Sequence, residues 1–136
     1  MGYRNVRVVS FDCGGTLYYE VEKDHVVFHK ILKNLGYEFK VAEVKRALDN
    51  ARVWWNSEKA KTGEVWTESS WIKLLQKMVS NLAIQDMASI TRQLRECWLL
   101  EAEFRAYEDA MPTLNELKEA GFSLIIISKR FLWQKP

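Results

Sequence analysis

Residues 6–17, VRVVSFDCGGTL, constrain this chain more than any other stretch. The first half, Val6-Arg7-Val8-Val9-Ser10-Phe11, is short, mostly apolar and rich in β-branched residues. That composition suits a strand buried on both faces of a parallel sheet. The run ends in Asp12, then Gly14-Gly15, then Thr16. A carboxylate at the C-terminal end of a buried strand, followed by a glycine turn, stands where open α/β sheets bind ligands. Glycines let backbone N–H groups approach an anion closely. Asp12 has the chemistry of a nucleophile or of a metal ligand. The same residues also make a plain strand-to-turn exit, with Asp and Gly present for turn chemistry alone.

Downstream the pattern turns helical. Val27, Phe28, Ile31, Leu32 and Leu35 recur at spacings of three and four, which predicts an amphipathic helix over about residues 22–35, closed by Gly36. Val41, Val44, Leu48, Ala51 and Trp55 mark a second helix that loses its pattern in the polar stretch 56–63. Thr67 or Ser69 is placed to cap a third, with Trp71, Leu74, Leu75, Met78, Val79 and Leu82 on its apolar side. Met87, Ile90, Leu94, Cys97 and Trp98 outline a fourth, so the middle of the chain reads as a small bundle. Pro112 suits the first turn of a further helix carrying Leu114, Leu117 and Ala120 and ended by Gly121. The next run, residues 122–128 (FSLIIIS), reads as a second buried strand. Strand, helical insert, helix, strand is the order a right-handed parallel crossover requires. It sets Asp12 and Ser128 at the same end of neighbouring strands.

Bulk properties narrow the function classes. With 136 residues, 48% hydrophobic and 28% charged, the chain has the balance of a soluble globular domain. A formal charge of +2 gives no electrostatic case for nucleic acid or an anionic membrane as partner. No apolar run reaches the ~18 residues of a membrane span. The N-terminus carries charge inside its apolar segment and lacks a secretory cleavage pattern. Two cysteines, Cys13 and Cys97, make no disulfide framework, and a cytoplasmic location is expected.

FDCGGTL resembles the first motif of the haloacid dehalogenase superfamily of aspartyl hydrolases: a hydrophobic strand, a nucleophilic Asp, a variable residue, a second Asp or small residue, then Gly-Thr-Leu. The resemblance implies a Rossmann-type α/β core, of which only two strands are present, with an inserted all-helical cap. The core would comprise residues 1–17 and 109–136 and the cap 18–108. In such proteins the cap closes over the site and excludes water. By the same resemblance Asp12 is the nucleophile, Gly15 and Thr16 bind the substrate's phosphoryl group, and Ser128 matches the Ser or Thr that ends the second core strand and hydrogen-bonds that group. Mg2+ is implied as cofactor, held by the Asp12 carboxylate and by the Gly14 backbone carbonyl, with further acids supplied near the C-terminus.

The chemistry so implied is hydrolysis of a phosphate ester of a small molecule through an aspartyl-phosphate, which splits one hard displacement into two easier ones. Two departures qualify it. Gly14 stands where phosphatases of the superfamily carry the second Asp, the general acid and base. Dehalogenases of the superfamily lack that Asp, so carbon–halogen hydrolysis by the same Asp12 is the alternative. Nothing after Ser128 is acidic, Lys129 and Arg130 are close enough to compensate some charge, and the sequence given ends at Pro136. That pattern resembles a member cut after its second motif, impaired or inactive as it stands. An incomplete sheet would leave a strand edge open, so self-association is expected through it.

Other features have ordinary readings. His25 and His29 lie four apart on one helix side, but Val26 replaces the glutamate of a zinc-protease motif, and boundary histidines are expected. Trp54, Trp55, Trp66, Trp71 and Trp98 are expected to pack in and around the helical core. Cys13 is followed by no Arg that would cradle a phosphate, so it is not read as a nucleophile.

Overall fold

A computed structural model of the chain describes residues 5–128. Two compact units emerge, one built from the two ends of the chain and one from Glu22–Glu103.

In the first unit, strand β1 (Val8–Phe11) opens the chain and β2 (Tyr18–Glu20) follows the Asp12 turn. After the helical unit come β3 (Phe104–Ala106), a helix at Ala110–Glu119 and a last strand, Ser123–Ile126. β1 pairs in parallel with that last strand, Val8 opposite Ser123 and Phe11 opposite Ile126. β2 and β3 form a separate antiparallel ribbon, Tyr18 opposite Ala106 and Glu20 opposite Phe104. Tyr18 meets Phe104 edge to face at 5.5 Å, and Tyr19 lies 5.0 Å from Tyr107. The ribbon carries no hydrophobic alternation long enough to be read from sequence, and its partners are far apart in the chain.

The helix at Ala110–Glu119 holds Pro112 in its first turn, where the missing N–H costs nothing. It ends at Gly121 (φ 87), whose conformation lets the Phe122 N–H return to the Leu117 carbonyl at 3.0 Å. One expectation needs correction. The two parallel strands are not buried on both faces: Val8 is 51% exposed, Ile125 48% and Ile126 61%. Among the described residues the sheet has two strands and one helix packed on it, too little partner surface to cover these side chains.

The second unit holds α1 (Asp24–Asn34), α2 (Val41–Thr62), α3 (Glu68–Asn81) and α4 (Met87–Glu101). The remaining helix and strand are accordingly α5 (Ala110–Glu119) and β4 (Ser123–Ile126). Phe28 and Leu32 of α1, Leu48 of α2, Leu75 and Met78 of α3 and Leu94 of α4 are fully buried in one continuous core. Thr67 caps α3 by accepting the Ser70 N–H, and Ser70 Oγ accepts the Thr67 N–H at 3.0 Å in return. Asn81 Nδ2 donates to the Ala47 carbonyl at 3.0 Å and ties α3 to α2. α2 continues to Thr62, past the point where its apolar stripe fades. Residues 56–62 include Glu58, Lys59, Ala60 and Lys61, good helix formers that need no buried face, and Gly63 (φ 66) stops the helix.

Candidate active site

β1 delivers Asp12 to the C-terminal edge of the parallel sheet, where its side chain is exposed. The turn that follows is closed by its own backbone. The Cys13 carbonyl accepts from the N–H groups of Thr16 (3.2 Å), Leu17 (2.8 Å) and Tyr18 (3.4 Å), and the Gly15 N–H donates to the Tyr18 carbonyl at 2.8 Å. Gly15 makes this possible at φ 80, a conformation that only glycine adopts without strain. The Thr16 hydroxyl folds back and donates to Asp12 Oδ2 at 3.3 Å. One carboxylate oxygen is thereby engaged by a neighbour four residues on. The backbone N–H groups of Gly15 and Thr16 are both spent inside the turn, so the hydroxyl is the polar group that Thr16 brings to the carboxylate.

Ser128 reaches the same edge from β4. The Ile127 N–H donates to the Phe11 carbonyl at 2.8 Å, so the parallel ladder persists until Asp12 and Ser128 leave the sheet. Ser128 is exposed, two residues past the strand. Topology therefore brings Asp12, Gly14, Gly15, Thr16 and Ser128 to one end of one unit. Lys129 and Arg130 lie outside the described residues.

Mg2+ prefers near-octahedral oxygen coordination, part of it supplied by carboxylates. Asp12 and the Gly14 carbonyl are the candidate donors at this edge. Among the described residues, no three His, Cys, Asp or Glu side chains gather in one group. One carboxylate and one carbonyl do not by themselves fit the ion.

His29 Nε2–H donates to the Phe39 carbonyl at 2.9 Å and so fixes the loop between α1 and α2. Burial first, then the nearby Lys45 ammonium, hold the His25 imidazole below its usual range. The tryptophans form an edge-to-face chain, Trp55 to Trp66 at 5.6 Å, Trp66 to Trp71 at 6.0 Å and Trp71 to Trp98 at 6.1 Å. No helix of the described residues is long and apolar enough to cross a membrane.

Comparison with known proteins agrees with this layout. The fold is similar to a crystal structure of a dehalogenase, with a TM-score of 0.51 and 19% identity over 91% of this chain and 51% of that one. The chain thus spans about half the length of that structure. No curated protein sequence matches it. A family model, described as a haloacid dehalogenase-like hydrolase, matches residues 6–132. Strand, acidic turn, helical insert and returning parallel strand fall within that match, and the chain belongs to the haloacid dehalogenase-like hydrolase family.

Proposed function

We propose that this chain is a hydrolase acting on a phosphate ester of a small molecule through a covalent intermediate on Asp12. The observation that supports this reading is the exposed Asp12 carboxylate at the strand end, one oxygen engaged by Thr16 and the other available to attack. In the first step an Asp12 oxygen attacks phosphorus, the bond to the leaving oxygen breaks, and its electron pair departs with the leaving group. In the second, water attacks the aspartyl-phosphate, phosphate leaves, and the Asp12 carboxylate is restored. Ser128, and the Thr16 hydroxyl by turning from Asp12, would donate to the phosphoryl oxygens. Hydrolases of this family generally use Mg2+, and the phosphatase reading carries an expected Mg2+ dependence.

Gly14 supports a second reading, carbon–halogen hydrolysis. Asp12 would attack carbon and halide would leave with the bonding pair, a departure that needs no proton and so no acid at position 14. The resemblance to a dehalogenase structure is in line with it. The test is turnover of p-nitrophenyl phosphate and of a 2-haloacid by the wild-type chain, each with Mg2+ and with chelator. Phosphate release that needs Mg2+ supports the first reading, and halide release indifferent to chelator supports the second. Asp12→Asn removes the nucleophile and is expected to abolish either activity. Undiminished turnover in that variant would exclude the aspartyl mechanism.

A further inference from the structure

We draw no further inference here: the strongest candidate, the aromatic cluster of the helical unit in which Trp71 packs against Trp66 and Trp98 and its buried indole N–H has no hydrogen-bond partner among the described residues, carries nothing, because nothing in the structure shows what would meet that N–H.

Discussion

Ala83 takes a left-handed backbone conformation, φ 56, at the turn between α3 and α4. The Ile84 N–H reaches back to the Val79 carbonyl at 3.4 Å and the Ala83 N–H to Ser80 at 3.0 Å, the hydrogen-bond pattern that glycine completes after α1 and α5. A Cβ in that region costs roughly 1–2 kcal/mol, partly offset by the greater unfolded-state freedom of glycine. Ala83→Gly is therefore expected to stabilise the protein by about 1 kcal/mol, read as a higher denaturation midpoint at unchanged slope. The same position shows a limit of sequence reading at this scale. Gly36 and Gly121 announce their helix ends, but an alanine doing the same task leaves no mark. At the candidate site the residue types were legible because strand, acid and glycine turn are contiguous. Which groups remain available was not, since only the folded turn shows that the Gly15 and Thr16 N–H groups bond within it.

At the scale of elements, the helices were legible because each carries its own apolar stripe. The ribbon was not, because β2 and β3 are three residues each and find one another only through the fold. The four helices of Glu22–Glu103 bury their stripes in one another, and among the described residues Ala110 is the sole buried apolar side chain outside that unit. A fragment of residues 22–103 is accordingly expected to fold alone, with helical circular dichroism and a single cooperative transition. Leu75→Ala, which empties a fully buried position, should cost about 2–5 kcal/mol in that fragment. Loss of the transition on excision would show that the helical unit depends on the rest of the chain. The unit also has a pH dependence with a defined sign. Burial first, then Lys45, Lys23 and Arg52, hold His25 below its ordinary 6.5, against the opposing charge of Asp49. A group whose folded pKa is depressed gives stability that is fully present above the unfolded value and is lost as pH falls through the folded one. The unfolding midpoint should therefore drop on acidification below about pH 6.5, and His25→Gln should flatten that part of the profile.

At the scale of the whole molecule, burial is unevenly shared, and this is the consequence of topology that periodicity could not show. The run SLIII resembles a central strand because its composition is that of one, yet β1 and β4 form a sheet of two strands. The Ser123 N–H donates to the Arg7 carbonyl and the Ile127 N–H to that of Phe11, so the backbone groups of Val8 and Ser10 face away from β4, along an edge no described strand covers. Val8, Ser10 and Ile125 share the sheet face opposite Val9 and Leu124, with Val8 and Ile125 about half exposed. β1 carries no proline or charged residue to blunt its edge. An antiparallel meeting of two such edges would pair their open backbone groups and join their apolar faces into one strip. Residues 1–136 in solution are therefore expected to self-associate with a concentration-dependent mass, read by light scattering or sedimentation. Ser10→Pro would remove one outward N–H at a position where an edge strand tolerates proline, and should shift the mass toward the monomer while helical circular dichroism is kept. Val8→Lys should do the same by placing a charge on the exposed face. A wild-type chain that stays monomeric across the concentration range would refute the expectation, and so would a mass unmoved by both substitutions.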